Sequence, residues 1–359
     1  MEGLGKMNLS FYKNKKVFIT GHTGFKGSWL CKVLLFAGAD VMGYSLKPEE
    51  ESLYNLLNLD KKVKSVYADI RDYDKLFAAV KSFKPDIVIH MAAQAIVIEG
   101  YKRPKETFEI NIMGTVNILE AIRNTSSVKS FLNVTTDKVY FNEEWNYGYR
   151  ESDRLCGYDP YSNSKSCSEL ITYSYSKSFF TLDYPRISTA RAGNVIAGGD
   201  FSKERIVPDI MRAYLKRENI FLRNPNSIRP YQHVLDCLNG YLLIIQSQYK
   251  NKKYAGNYNI GPDEENIITN KELATLFCKK LDNKINTSYK ENKKYIESNL
   301  LKLDTSNIKN KLKYKQVWNI NITASTIVEF IKAYENKEDL NLLIDKQIKK
   351  YLKDLKTAK

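Results

Sequence analysis

The sequence predicts an α/β chain: a doubly wound parallel sheet with a smaller α/β carboxyl-terminal lobe. Three observations carry this. Short apolar runs alternate with helical patterns through the first half, as strand–helix–strand units require. A glycine-rich turn, Thr20-Gly21-His22-Thr23-Gly24-Phe25-Lys26-Gly27, joins the first run to the first helix. Beyond residue 195 the alternation loosens, which marks the second lobe.

Taken in order, Lys16–Thr20 (KVFIT) is the first strand, and Gly27–Gly38 carries helical spacing. Ala39–Tyr44 and Val63–Asp69 are the second and third strands, and Asp86–Met91 (DIVIHM) is the fourth, after a helix ending near Lys84-Pro85. A long helix covers Pro104–Arg123, Ser130–Thr136 (SFLNVTT) is the fifth strand, Asp159–Phe179 a second long helix, and Ser188–Val195 (STARAGNV) the sixth strand. Then come a helix at Pro208–Arg217, a short strand at Asn219–Leu222 and an amphipathic helix at Tyr231–Tyr249. Tyr258–Ile260 reads as a strand that rejoins the sheet, and helices near 270–282, 322–335 and 338–354 complete the smaller lobe. Residues 13–195 with about 231–261 then form the first domain, and about 196–230 with 262–359 the second, with the active site between them.

Composition narrows the function classes. A chain of 359 residues holds one large α/β domain and a smaller one. Its 43% apolar and 12% aromatic content excludes a disordered chain. No apolar run reaches the length of a membrane span and the N-terminus lacks a signal-peptide core, so a cytoplasmic protein without membrane association is expected. The five cysteines are scattered and lack metal-ligand spacing, which predicts reduced thiols and no metal. The net charge of +15 lies largely after residue 245, as single lysines or short pairs among Asn and Glu. No aromatic–basic repeat or helix–turn–helix accompanies it, so nucleic acid is not the expected partner. The charge is read as solvated faces that also help attract an anionic substrate.

The glycine turn carries the first chemistry. Gly21-x2-Gly24-x2-Gly27 differs by one residue from the G-x-G-x-x-G fingerprint, yet it stands where a backbone must approach a pyrophosphate at a helix N-terminus. A bound dinucleotide is the reading. The second strand ends Gly43-Tyr44-Ser45-Leu46-Lys47, with no acid before Glu49 to hold an adenosine ribose, so these residues leave NAD and NADP both open. Asp69, followed by Ile70, suits the adenine amino group or a helix cap equally well.

Tyr161-Ser162-Asn163-Ser164-Lys165 opens a helix, and its i, i+4 spacing puts phenol and ammonium on one face. A phenol with a reference pKa of about 10 is a poor base near neutrality. A neighbouring Lys⁺ and an oxidised nicotinamide are expected to lower it. The fifth strand ends Thr135-Thr136-Asp137-Lys138, and ligands meet a parallel sheet at the carboxyl ends of its strands. Thr136 can hydrogen-bond a sugar hydroxyl. Asp137 and Lys138 add an acid and an amine that a simple dehydrogenase does not need but the expulsion of water does.

These features, with Asp69, His90-Met91-Ala92-Ala93-Gln94 and Asn111, resemble the extended short-chain dehydrogenase/reductases, whose domain is Rossmann-type. More narrowly, GHTGFKGSWL (Gly21–Leu30), TDKVY (Thr136–Tyr140), EEWNYGYRE (Glu143–Glu151) and GYDPYSNSK (Gly157–Lys165) resemble the CDP-glucose 4,6-dehydratases. ARAGNVIAGGD (Ala190–Asp200), RIVPDI (Arg205–Ile210) and RNPNSIRPYQHV (Arg223–Val234) continue the match, which reaches Leu303-Asp304 and Trp318. The resemblance implies a redox-neutral reaction in which NAD⁺ is borrowed and returned. Tyr161 would take the 4-hydroxyl proton while C4 gives up hydride, Thr136 would orient that hydroxyl, and Lys165 would hold the nicotinamide ribose. Asp137 would protonate the departing 6-hydroxyl. Lys138 would either accept the C5 proton or stabilise the enolate electrostatically.

The resemblance further implies cofactor contacts from Gly21, His22, Thr23, Gly24, Phe25, Lys26, Gly27, Asp69, Ile70, Ala92, Ala93, Gln94 and Asn111, and nucleotide-sugar contacts from Asn194, Arg205 and Arg229. The two long helices match those that pair in a four-helix interface, implying a homodimer or a dimer of dimers. The product would be a 4-keto-6-deoxy sugar for a bacterial surface polysaccharide. Epimerases and reductases on the same scaffold are the alternative, and the Asp137-Lys138 pair argues against them. The chain departs from the family after Gln94, where Ala95-Ile96-Val97-Ile98-Glu99 replaces a usual Pro and Val-Arg, placing Glu99 near the expected substrate pocket.

Overall fold

The structure, a computed structural model, describes residues 7–181, 184–282, 285–289 and 300–358. Strand β1 (Lys16–Thr20) runs through the glycine turn into α1 (Phe25–Phe36), and β2 (Asp40–Ser45) follows. Then come α2 (Leu53–Leu56), β3 (Lys64–Tyr67), α3 (Tyr73–Phe83) and β4 (Ile87–His90). Helices α4 (Val97–Lys102), α5 (Pro104–Phe108) and α6 (Gly114–Arg123) lead to β5 (Ser130–Val134), α7 (Pro160–Ser178) and β6 (Arg186–Ala192). Next are β7 (Val195–Ile196), α8 (Ile206–Lys216), β8 (Ile220–Leu222), β9 (Ile228–Pro230), β10 (Gln232–His233), α9 (Val234–Lys250) and β11 (Asn257–Ile260). The chain closes with β12 (Ile267–Thr269), α10 (Asn270–Lys280), β13 (Thr287–Tyr289), α11 (Ser306–Leu312), α12 (Ile320–Glu335) and α13 (Leu340–Thr357).

Seven strands form one sheet in the order β11-β6-β5-β4-β1-β2-β3, each paired in parallel with its neighbours. Alternation along a strand assigns side chains to opposite faces. Phe18 of β1 packs with Val80, Ile118 and Phe131 under α3 and α6. Val17 and Ile19 pack with Trp29, Leu34 and Leu242 under α1 and α9. That second core continues into Trp318, Ile344 and Tyr351, so the carboxyl-terminal helices rest on α1 and α9, with Lys32 reaching Asp345 at 3.0 Å. The strand order reverses between β1 and β4, and a doubly wound sheet opens its ligand crevice at that point.

The expected strands and helices are present, with three differences. The helix expected over Pro104–Arg123 contains a π turn at Glu109–Met113. The sixth strand stops at Ala192, because Asn194 takes a left-handed conformation (φ 49°), and Val195–Ile196 pairs instead with Gln232–His233. That pairing also delays α9, which starts at Val234 and not at Tyr231. The β7–β10, β9–β12 and β8–β13 pairs have two or three residues a side, too few to show a period in sequence. Among the described residues no helix is long and apolar enough to cross a membrane.

Candidate active site

The glycine turn is shaped by close approaches. Gly21 has φ +76°, and a Cβ there would lie 2.7 Å from the Ala92 nitrogen, at the end of β4. A Cβ on Gly27 would lie 2.3 Å from the Gly21 carbonyl oxygen, so both positions demand glycine. Gly24 differs: it is exposed, a Cβ there would meet only the Gly21 oxygen at 3.5 Å, and it caps α1 with no side-chain hydrogen bond. The turn thus leaves an open concave backbone at the N-terminus of α1, beside the switch point. Such a cradle fits a pyrophosphate.

The side chains of the turn face elsewhere. Burial pushes the His22 imidazole down to about 4, and its Nε2 meets the Ser65 hydroxyl at 3.0 Å beneath Gly43. Thr23 ties the turn to the end of β2 through Ser45 (2.8 Å). Lys26 points into the cleft with Phe25, its ammonium 3.4 Å from the Tyr241 hydroxyl on α9. Asp69 accepts from the Arg71 guanidinium at 2.7 Å, and this hydrogen bond holds its carboxyl below the usual range. Asp72, not Asp69, caps α3. Ile70 packs on Gly114 in the core, and Ala92 and Ala93 line the end of β4 at partial exposure.

Asn111 sits in the π turn, a distortion often found at functional positions. It donates to the Gln94 carbonyl (3.0 Å) and the Ser164 hydroxyl (2.9 Å), and it accepts from the Gln94 amide (2.9 Å). The Gln94 side chain is engaged inward by Thr107 (2.9 Å) and the Ile96 amide (2.6 Å). Asn111 therefore locks the segment after β4 to the helix that carries Tyr161.

That helix begins at Asp159, whose carboxylate accepts from the Ser162 amide at 3.0 Å, with Pro160 in the first turn. The cap fixes Tyr161 in the first turn and Lys165 one turn on. Both are buried, at 8% and 4% exposure. Burial pushes the Tyr161 phenol up to about 12, with the Thr136 hydroxyl pulling the other way. The lowering expected from Lys165 is not among the influences on this phenol, where desolvation dominates. Burial, then the nearby Lys26, push Lys165 down to about 7, and its ammonium donates to the Val134 carbonyl at 3.1 Å.

Facing this helix, the end of β5 turns through Asp137–Val139, capped by Thr136. Thr136 donates to Asp137 Oδ1 (3.0 Å), and the Asn194 amide donates to Oδ2 (3.3 Å). Asn194, expected at the diphosphate, thus lies against the Asp137 carboxylate. Gly193 is required here, since a Cβ would collide with that carboxylate. Thr136, Asp137, Lys138 and Tyr161 line one cleft of about 310 Å³. Its far wall comes from the start of α8, from β8 and from Arg229. Arg205 is paired with Asp200 at 3.2 Å, while Arg229 is 6% exposed and donates to its neighbour's carbonyl at 3.0 Å. Glu99 is not on the cleft: Ala95–Ile98 form its wall there, and Glu99 pairs with Lys102 (2.8 Å) and Arg103 (3.3 Å).

Sequence reasoning gave no role to the acids Asp200, Glu204 and Asp209 of the far wall, although Asp200 and Asp209 lie in the runs ARAGNVIAGGD and RIVPDI. It also missed Glu169 and Arg191, a fully buried pair at 3.0 Å beneath the catalytic wall. Tyr161, Lys165 and Glu169 follow at i, i+4 and i+8, and that spacing was the available signal.

A parallel sheet with a glycine cradle at its switch point, and a Tyr–Lys helix facing a Thr-Asp-Lys strand end, defines an extended short-chain dehydrogenase/reductase. The chain belongs to the GDP-mannose 4,6 dehydratase family, whose profile matches residues 18–326. It is 39% identical over 358 residues to the CDP-glucose 4,6-dehydratase of Salmonella typhimurium, covering 96% of this chain and 98% of that relative. Among solved structures, UDP-glucose 4-epimerase of Thermotoga maritima superimposes with a TM-score of 0.78 at 20% identity, covering 89% of this chain and 99% of that one. The dTDP-glucose 4,6-dehydratase of Bacillus anthracis, solved in complex with NAD, superimposes with a TM-score of 0.76 at 20% identity, covering 90% and 98%. These two likenesses speak to the fold.

Proposed function

We propose that the protein is a hydro-lyase that carries out redox-neutral 4,6-dehydration of a nucleotide-activated hexose, with CDP-glucose as its substrate and NAD⁺ as its cofactor. The observation that carries this reading is the single cleft wall on which an acid and an amine, Asp137 and Lys138, stand beside Thr136 and Tyr161. The similarity to a CDP-glucose 4,6-dehydratase along nearly the whole chain favours CDP-glucose among the nucleotide hexoses.

The open backbone at Gly24 would hold the pyrophosphate of the cofactor, and Lys165 its nicotinamide ribose. When bound there, NAD⁺ would supply the acceptor for the C4 hydride and the donor that restores it at C6. The chain supplies the proton transfers. Tyr161 removes the 4-hydroxyl proton while Thr136 orients that hydroxyl, and the ammonium of Lys165 favours the phenolate. The 4-ketone so formed makes the C5 proton acidic. Loss of that proton breaks the C6–O bond, and Asp137 protonates the departing hydroxyl, which leaves as water. Lys138 serves C5, either as the base that takes its proton and gives one back to C5 when hydride reaches C6, or as a positive charge beside the enolate, with solvent then carrying that proton both ways. Arg205 and Arg229 serve the diphosphate, where a guanidinium suits bidentate contact. The division into a cofactor part (13–195 with 231–261) and a substrate part (196–230 with 262–359) agrees with a cleft lined from both. Exposed Met113 at the end of the π turn that leads into α6, with Leu170 and Tyr173 on α7 (49–58%), favours a homodimer through these helices.

The test is mass spectrometry of CDP-, UDP-, GDP- and dTDP-glucose incubated with the protein and NAD⁺. Loss of one water from CDP-glucose without NADH accumulating is the expected result. Loss from another nucleotide hexose moves the substrate and keeps the reaction, and no loss from any overturns the reading.

A further inference from the structure

Directly beneath the catalytic wall lies a buried polar assembly that takes no part in the proton transfers above it. Glu169 stands one turn after Lys165 on α7, and both it and Arg191 are 1% exposed. Its Oε1 accepts from the Thr135 hydroxyl (2.5 Å) and Arg191 Nε (3.0 Å). Its Oε2 accepts from the Thr189 hydroxyl (2.7 Å) and Arg191 Nη2 (3.0 Å). Arg191 Nη1 donates to the Tyr140 hydroxyl (2.8 Å) and the Glu151 carbonyl (3.0 Å), and Tyr140 donates to Asn259 (2.7 Å).

The points of attachment matter more than their number. Thr135 immediately precedes Thr136-Asp137-Lys138, and Tyr140 immediately follows the turn Asp137–Val139. The assembly therefore grips the turn at both ends and joins it to the helix that bears Tyr161 and Lys165. A buried ion pair is weak evidence of stability, because desolvation offsets much of its attraction, and geometric specificity is its better-attested use. Catalysis is sensitive to such geometry: a displacement of about 1 Å can cost about 100-fold in rate.

We propose that Glu169, holding Arg191 and Thr135, is a positioning residue that sets the distance between the Tyr161–Lys165 helix and the Thr136–Lys138 turn. The proposal rests on the dehydratase reading. The carboxylate has a second consequence, since its charge opposes the burial and the Lys26 repulsion that depress Lys165.

The test compares wild type, Thr135→Val and Glu169→Gln in CDP-glucose dehydration across pH. Thr135→Val keeps the ion pair and removes one hydrogen bond. It is expected to lower kcat about 10-fold with KM within about twofold and a melting temperature lower by only a few degrees, well above the assay temperature. Glu169→Gln is expected to lower kcat about 100-fold. It should also move the alkaline limb of kcat/KM to lower pH, because Lys165 loses a negative neighbour and its ammonium is lost earlier as pH rises. Wild-type kcat in Thr135→Val overturns the proposal, as does a Glu169→Gln loss that only tracks the folded fraction with the limb unmoved. Should Glu169→Gln not fold, Thr135→Val decides. A wild type that dehydrates no nucleotide hexose sinks the dehydratase reading and this proposal with it, whereas wild-type turnover with an unaffected Thr135→Val sinks the positioning role alone.

Discussion

Two buried cations stand on adjoining layers of the site, and the protein treats them in opposite ways. Arg191, in the lower layer, has a carboxylate on two of its nitrogens and a tyrosine hydroxyl and a carbonyl on the third. Burial pulls its pKa down, but Glu169 and Tyr140 more than offset this and hold it above its ordinary value. Lys165, in the upper layer, donates to a backbone carbonyl, and among the described residues no carboxylate is paired with it. Burial and Lys26 leave it near 7. The difference separates scaffold from chemistry. Where the chain only needs rigidity, buried charge is fully compensated. Where it needs a group that responds to a bound cofactor and substrate, the charge is left exposed to its neighbours' fields, and perturbed groups of that kind cluster at functional sites.

The largest effect should come from the upper layer and touch activity alone. Tyr161→Phe keeps the ring and removes the proposed proton acceptor, so kcat for dehydration should fall about 1000-fold. The melting temperature should stay the same, since that hydroxyl serves no scaffold role. A variant that retains turnover would break the comparison at its catalytic side.

Arg191→Met should act first on stability, with a loss of kcat following from the displaced turn. It strands the Glu169 carboxylate without its cation, and breaking such a pair typically costs about 3–5 kcal/mol. Urea unfolding should show that loss directly. A loss below about 1 kcal/mol would mean that the lower layer is no scaffold, and the contrast with Lys165 would lapse.

Lys165→Met sharpens the other side. With a folded pKa near 7 and an unfolded value of about 10.4, the unfolded chain binds more protons across that window. The burial penalty is therefore fully present below about pH 7 and relieved as pH rises toward 10. Lys165→Met should lower kcat about 100-fold yet stabilise the cofactor-free protein by roughly 1–3 kcal/mol at pH 7, and by little at pH 10. Melts of both proteins at the two pH values give the difference. A variant that is less stable at pH 7 would place Lys165 with the scaffold.

Much of this site is legible in the sequence because its signals are local. The glycine turn, Tyr161-x3-Lys165 and the Thr136-Asp137-Lys138 strand end each lie within eight residues, and the structure brings Tyr161 and the strand end onto one cleft. What escaped depends on distant partners. Glu169 meets Arg191 only once α7 has crossed over β5 and β6. The buried residue of the π turn is the polar Asn111, so no apolar period marks the turn. His22 and Gln94 carry motif signals for the cofactor, but their side chains hydrogen-bond Ser65 and Thr107 within the protein. A motif names the backbone position reliably. It does not say which way the side chain turns.

Glu99 gives the smallest expected effect and the most specific lesson about the sugar end of the cleft. In sequence it replaces part of a segment expected beside the substrate, and a carboxylate there would repel a diphosphate and compete for sugar hydroxyls. In the structure its charge is answered on the outer side of α4, where the Lys102 hydrogen bond, with Arg103 beyond it, holds the carboxyl below its usual range. The cleft receives Ala95, Ile96, Val97 and Ile98 in its place, an apolar wall with no side-chain hydrogen-bond donor. Glu99→Gln should therefore leave kcat/KM for CDP-glucose, and the preference among nucleotide hexoses, within about twofold, as for a surface substitution away from any buried feature. A larger change, above all one that alters which hexose is accepted, would put the carboxylate in contact with substrate. Glu99 would then join Lys165 among the charges kept for chemistry, leaving the compensated, structural group where its two salt bridges now place it.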